Sequence, residues 1–471
     1  MSLPAAAGPG APDPLALAID RAAGARPIEG NRLELHPDSP RALEAMLAAI
    51  AAARRWVHLE NYIIRDDATG QRFADALVER ARAGIGVRVL YDALGSFGTS
   101  RRYWRRLTQA GAEVRAFHPL LTRHPFDTLS RDHRKLLVTD GGWAMTGGQC
   151  IGDEWAGDAA RGRRPWRDTM VAVTGPAAAA LDDAFARIWR RAGEPLPPDE
   201  LEADPAECGS STARVVSGVP GRARMYRAVQ LLAASATDRL WITDAYLIAP
   251  PPLYASLLDA ARAGVDVRLL VPGTSDLLVL RDSTRIGYRD LLRAGARIFE
   301  WQGPMLHAKT LLVDHRWARV GSSNLNVSSL LGNYELDLLA ECNHLAAQLA
   351  QQFLRDLASS REIVLQARRR FLPARLVGAP ATAASPVPEQ PHKRSGYELG
   401  AVAVVTLRRV AGGLRRAITS AATLACAGVG VLLVVFPRVM AMVLAAGAFS
   451  LALAFGLYTF ERRRTREADD G

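Results

Sequence analysis

The sequence predicts an α/β protein made by repeating one unit, with a transmembrane helical hairpin at its C-terminal end, and three observations carry that prediction. First, four blocks recur in order: WVHLENYII, ALVERARAGIGVRVLYD, LTQAGAEVRAF and DHRKLLVTDGGWAMTGGQC return as LWITDAYLIA, SLLDAARAGVDVRLLVP, LLRAGARIFEW and LHAKTLLVDHRWARVGSSN. Second, helical and strand patterns alternate through both copies, as in an α/β domain. Third, two uncharged apolar runs lie near the end of the chain. The repeat is far longer than a solenoid unit, so two lobes are expected. With 471 residues, the chain can bury a core in each.

Residues 1–26 are rich in Ala, Pro and Gly and lack the basic stretch and apolar run of a signal peptide, so they read as a flexible leader. The first lobe is expected over 27–192. In it, Leu43, Met46, Leu47 and Ile50 fall at helical spacing, and 56–64 reads as a strand. Residues 193–213 have the Pro, acidic and small-residue content of a linker, 214–377 form the second lobe, and 378–396 form a second linker. In 397–471, a basic segment leads into apolar runs at 417–436 and 439–460, separated by Pro437-Arg438. At about 1.5 Å per residue each can cross a hydrocarbon core of roughly 30 Å. Arg408, Arg409, Arg415 and Arg416 precede the first run, and Arg462, Arg463, Arg464 and Arg466 follow the second, which places both termini in the cytoplasm.

The chain carries a formal charge of +11, but +9 of it lies in residues 361–471, leaving a nearly neutral body. A nuclease would need a basic groove on the catalytic body, so the distribution argues against nucleic acid as a partner. The four cysteines, Cys150, Cys208, Cys342 and Cys426, form no C-x-x-C pair, which excludes a cysteine zinc site and suits a reducing compartment. Of 59 basic residues only Lys135, Lys309 and Lys393 are lysines. Where arginine is the default, a lysine marks a place that needs a compact ammonium.

Two of those lysines stand in His133-x-Lys135-x4-Asp140 and His307-x-Lys309-x4-Asp314. Small-residue turns follow at the same interval, Gly147-Gly148-Gln149-Cys150 and Gly321-Ser322-Ser323-Asn324. In a strand, residues i and i+2 share a face, so each His and Lys point to one spot. This constellation suits phosphodiester transfer. Two ammonium groups and an amide would hold the non-bridging oxygens, one neutral imidazole would attack phosphorus, and the other would protonate the leaving alkoxide. Asp168 and Glu335, at corresponding downstream places, are the candidates to hold the far ring nitrogens. The remaining histidines, His36, His58, His118, His124, His315, His344 and His392, read as structural or surface groups. Arg101, Arg102, Arg105 and Arg106 read as a solvated helix face, and Cys150 as a small buried residue.

The paired H-x-K-x4-D motifs resemble the phospholipase D superfamily. Within it, HLENYIIRDDATG, GGQCIGDEW, WRDTMVAVTGP and GSSNLNVSSLLGNYELDL resemble bacterial cardiolipin synthases. The resemblance runs from about Gly30 to Arg370. It implies two α/β/α lobes forming a pseudo-dimer with one shared active site, in the inner (plasma) membrane of a bacterial cell. The implied reaction is phosphatidyl transfer between two phosphatidylglycerols, or with phosphatidylethanolamine, with no metal or other cofactor. Carried over by position, the implied site residues are His133, Lys135, Asp140, Asp168, His307, Lys309, Asp314, Asn324 and Glu335, with His133 as nucleophile and His307 as general acid. The sequence departs from the family at Cys150, where asparagine is common, and at Asn326, where aspartate is common. Phospholipid hydrolysis, a nuclease of the same superfamily, and a membrane-tethered binding protein with a relic site are the alternatives. A pseudo-dimer already completes the site, so homo-oligomerisation is not required.

Overall fold

The computed structural model describes residues 13–119, 130–274, 285 and 287–365. The two apolar runs, the second linker, His124 and His392 lie outside them. No helix among the described residues is long and apolar enough to cross a membrane.

Strands β1 (Ile28–His36), β2 (Trp56–Asn61), β3 (Gly86–Asp92), β4 (Glu113–Phe117), β5 (Lys135–Thr139), β6 (Trp143–Gly147) and β7 (Met170–Thr174) come from the first copy. The second supplies β8 (Ser211–Gly218), β9 (Arg239–Thr243), β10 (Asp266–Pro272), β11 (Arg297–Trp301), β12 (Thr310–Val313), β13 (Trp317–Gly321), β14 (Glu335–Glu341) and β15 (Ser360–Ile363). All lie in one sheet, and the internal repeat is visible in its order. The order β1-β7-β6-β5-β2-β3-β4 in one half is matched by β8-β14-β13-β12-β9-β10-β11 in the other, with β15 at the far edge. The halves join where β1 and β8 pair antiparallel, Ile28 opposite Ala213.

Every residue of β2, β5 and β12 is buried. That explains the apolar runs LLV in β5 and β12: a strand covered on both faces has no side that must be polar, while His58, Glu60 and Asn61 of β2 are buried polar groups. The covering helices form two layers. On one face, α6 (Pro176–Trp189) and α10 (Asn343–Ala358) share a core that runs across both halves, through Val171, Phe185, Leu312, Leu336 and Phe353. On the other face the cores are separate. α2 (Ser39–Ala52), α3 (Ala68–Arg82), α4 (Arg101–Gln109) and the single turn α5 (Asp153–Ala156) cover the first half. α7 (Arg224–Ser235), α8 (Pro251–Arg262) and α9 (Tyr288–Ala294) cover the second.

The flexible-leader reading is corrected over α1 (Pro14–Ala23). Asp13 caps this helix by accepting from the Leu15 amide at 2.9 Å, and Pro14 suits its first turn. Ile19 and Ala23 are fully buried in the core of the second half, and Asp20 pairs with Arg214. The Ala- and Pro-rich composition hid an amphipathic helix whose partner face lies about 200 residues away. The linker reading is corrected at its end, because 211–213 already belong to β8. Glu200 within it is pinned to Arg88 at 2.6 Å and to the buried His58, which also meets Asp182 at 2.6 Å.

Asp140 and Asp314 do not join the motif histidines. They follow β5 and β12 at the opposite end from the histidines, and at roughly 3.3 Å per residue β5 alone carries the chain about 16 Å. Both adopt positive φ, 55° and 52°. Asp140 accepts from the amides of Arg54, Arg55 and Trp56 at 2.8–3.2 Å, and Asp314 from those of Thr237, Asp238 and Arg239 at 2.8–3.3 Å. Each anchors the start of the neighbouring strand, β2 or β9. Asp140→Ala is therefore expected to cost about 1–3 kcal/mol of stability, as backbone donors lose a charged acceptor. The folded fraction should keep kcat/KM within about threefold of wild type. Calorimetry and activity titrated to folded protein check both.

Candidate active site

The site is assembled where each half inserts the segment before its H-x-K strand against the other half. The His133 amide donates to the Tyr334 carbonyl at 3.0 Å, and the Tyr334 amide donates to Arg131 at 2.9 Å. The pseudo-symmetric counterpart is the His307 amide to the Arg167 carbonyl at 2.7 Å and the Arg167 amide to Met305 at 2.9 Å. These short parallel bridges bring a carboxylate from one half to the histidine of the other. Glu335 lies 3.1 Å from His133 Nδ1, and Asp168 lies 2.7 Å from His307 Nδ1. Asp92 steadies the first segment, taking the Arg131 guanidinium at 2.7–3.1 Å and the Asp132 amide at 2.9 Å.

Both histidines line one cavity of about 610 Å³, together with Tyr62, Cys150, Trp155, Trp166, Tyr246 and Asn324. Lys135 and Lys309 are fully buried beneath it, and each ammonium donates to the carbonyl of its own motif histidine. Asn324 is buried, and its Oδ1 has no protein partner. Of the nine site residues expected from sequence, His133, Lys135, His307, Lys309, Asp168, Glu335 and Asn324 gather here. Asp140 and Asp314 do not.

The two carboxylates sit in different surroundings. Asp168 receives Trp155 Nε1 at 3.0 Å on the oxygen that meets His307, and the Thr169 amide at 2.8 Å on the other. Burial works to raise its pKa, but His307, Lys309 and the Thr169 amide outweigh burial and hold it at about 2. Glu335 receives the hydroxyls of Ser322 and Ser329. There burial prevails over Lys135 and both hydroxyls, and raises the carboxyl to about 7. Burial lowers His307 to about 4, helped by Lys309, and burial with Lys135 and Lys309 takes His133 well below its ordinary value. Lys309 is lowered to about 8, chiefly by burial. Burial thus favours the neutral form of both imidazoles.

A glycine in each turn makes room for a buried carboxylate, Asp168 in one half and Asp337, the partner of Arg319, in the other. A Cβ on Gly148 would come within 2.3 Å of Asp168 Oδ1, and one on Gly321 within 2.0 Å of Asp337 Oδ1. Cys150 lines the cavity as a buried thiol whose pKa is raised by burial. Several lining residues escaped the sequence reading. Tyr62 stands edge-on to His133 at 5.0 Å, and Tyr246 edge-on to His307 at 6.3 Å. Their matching places in ENYII and DAYLI were the available signal. Trp155 lay inside the quoted GGQCIGDEW block but carried no mark of its contact with Asp168.

Comparison with known proteins agrees with this architecture. Residues 46–189 and 230–357 match the family described as cardiolipin synthase, PLD-like domain. The chain is 35% identical over 352 residues to cardiolipin synthase A of Pseudomonas aeruginosa (strain LESB58), covering 73% of this chain and 70% of that protein. It is 35% identical over 348 residues to cardiolipin synthase A of Pseudomonas entomophila (strain L48), covering 73% and 72%. Among solved structures, the phosphatidylserine synthase of Haemophilus influenzae Rd KW20 shares the fold, with a TM-score of 0.59 at 14% identity over 74% of this chain and 92% of that one. The chain belongs to the cardiolipin synthase, PLD-like domain family.

Proposed function

We propose that this protein is a membrane-bound phosphatidyltransferase that joins two phosphatidylglycerol molecules into cardiolipin, releasing glycerol, through a phosphohistidine intermediate. The observation that carries the reading is the pair of cross-half imidazole–carboxylate contacts facing one cavity over two buried lysines.

The unequal carboxylates support a division of labour. Beside ionised Asp168, an imidazolium at His307 is stabilised, which suits the general acid. Beside Glu335, whose charge is weakened by burial, His133 stays neutral and suits the nucleophile. An incoming phosphodiester anion offsets the charge of Lys135 and Lys309 and lets His307 take up a proton. His133 Nε2 then attacks phosphorus and the bond to the glycerol oxygen breaks. His307 protonates the departing alkoxide, and glycerol leaves. Neutral His307 next takes the proton of a second headgroup hydroxyl, whose oxygen attacks phosphorus as the bond to His133 breaks. Lys135, Lys309 and the Asn324 amide hold the charge that builds on the non-bridging oxygens, as preorganised donors do.

Residues 397–471 complete the proposal as a membrane anchor, with spans at 417–436 and 439–460 and the catalytic body on the cytoplasmic side of the inner membrane. The two halves of the sheet already supply both histidines, so one chain suffices for chemistry.

Phosphatidylglycerol in mixed micelles without added metal is expected to give cardiolipin and glycerol in equal amounts. Phosphatidic acid alone would make the enzyme a hydrolase, and DNA cleavage with no lipid product would remove the proposal. His133→Ala should abolish a trappable phosphoenzyme. His307→Ala should lower kcat by roughly 10²–10⁴-fold yet still form the phosphoenzyme from a substrate with a good leaving group, and the reverse pattern would exchange the roles. Because Lys309 is lowered to about 8, its charge is present below that pH and lost above it, so kcat/KM should fall as pH rises through about 8. A profile flat to pH 9.5 would contradict its role as a cation. Deleting 397–471 should move the protein from the membrane pellet to the soluble fraction with the cooperative thermal unfolding of its catalytic body retained.

A further inference from the structure

The turn between β3 and α4 holds two large apolar side chains out in water. Phe97 is 75% exposed and Leu94 is 49% exposed. The turn is tied down beneath them. Asp92 Oδ1 accepts from the amides of Leu94 at 2.9 Å and Gly95 at 3.0 Å. Ser96 Oγ donates to the Tyr62 carbonyl at 3.2 Å and accepts from the Ile64 amide at 3.0 Å, and Thr99 Oγ1 donates to the Ile64 carbonyl. Gly95 lies so close that a Cβ there would be 2.2 Å from the Tyr62 carbonyl oxygen. A loose loop could fold Phe97 inward, but these anchors fix Leu94 and Phe97 facing outward. They also fix the turn to the segment 62–64, whose Tyr62 and Ile63 line the catalytic cavity.

The segment that forms this tip carries charge of one sign. Residues 93–109 carry four arginines and no acidic residue. Ser100 caps α4, which exposes Arg101, Arg102 and Arg105, whereas Arg106 turns to Asp75 on α3 and Asp66 shares a groove with Arg102. An apolar tip with a collar of guanidinium groups matches a bilayer surface. Aromatic and aliphatic groups enter below the headgroups, and arginines meet the phosphates. A protein partner of ordinary surface composition would not call for both together.

We propose that this turn is a membrane-docking edge: Leu94 and Phe97 enter an anionic bilayer, Arg101, Arg102 and Arg105 lie on its phosphates, and the cavity mouth is thereby turned toward lipid. It deepens the phosphatidyltransferase reading and rests on it for the substrate, because it addresses how a headgroup still in the membrane reaches His133. The C-terminal segment would tether the protein but not orient the cavity.

The test uses the full chain in lipid nanodiscs. In discs containing long-chain phosphatidylglycerol, the Leu94→Ser/Phe97→Ser double variant should lose at least fivefold in kcat/KM. In phosphatidylcholine discs supplied with monomeric dihexanoyl phosphatidylglycerol, it should match wild type. An environment-sensitive fluorescent amino acid in place of Phe97 should shift to the blue in phosphatidylglycerol discs and much less in phosphatidylcholine discs. Equal losses on both substrates, no loss on either, or an unshifted probe would overturn the docking edge. So would a change from dimer to monomer in the double variant, which would assign the patch to a second copy. If wild type converts neither lipid, the proposed function fails, and the probe still decides the docking edge.

Discussion

The rest of the structure depends on one constraint: each motif imidazole is met by a carboxylate from the other half of the chain. Glu335 is 202 residues from His133, and Asp168 is 139 residues from His307. Neither half can complete its own histidine, so the halves must dock in a single register. A hydrogen bond to a charged group contributes about 1.5–3 kcal/mol net, and burying one large apolar side chain contributes about the same. The core shared by α6 and α10 contains many such side chains from both halves. That core therefore supplies most of the docking energy, while the two carboxylates and the backbone bridges at Tyr334 and Arg167 fix the alignment.

The frame is symmetric between the halves, and the surroundings of the two histidines are not. The two halves repeat the same strand order, the same H-x-K strand and the same aspartate anchor at positive φ. The donors around the carboxylates differ. N–H groups from Trp155 and Thr169, with His307 and Lys309, keep Asp168 ionised, whereas serine hydroxyls around Glu335 do not offset its burial. Two histidines at matching positions of the repeat thus stand in different electrostatic surroundings. Cys150 continues the divergence, with a thiol where the repeat carries Asn324.

Much of this was legible in the chain. The period of two in H-x-K placed each lysine beneath its histidine, and the scarcity of lysine singled both out. Their corresponding places downstream of the motifs pointed to Asp168 and Glu335, although nothing in that placement showed that they would be exchanged between halves. The motif aspartates misled for a physical reason: a repeated residue at fixed spacing signals a repeated constraint, and here the constraint is capping backbone amides at the far end of a strand. The leader misled because Ala-rich amphipathicity is faint until its partner is present. Ile19 and Ala23 have no visible core until α7 is folded beside them.

The sequence by itself determined the repeated α/β unit, the strand periodicity, the residue types of the reacting groups and the apolar runs near the C-terminal end. All of these are set by neighbours within a few residues, or by comparing one stretch with its copy. Only the tertiary structure decided which carboxylate serves which histidine, which aspartates are scaffold, which aromatic rings wall the cavity and that Phe97 is held outward beside it. These depend on contacts between residues far apart in the chain. They also depend on which charges and donors the fold sets around two equally buried carboxyls, holding one at about 2 and leaving the other at about 7.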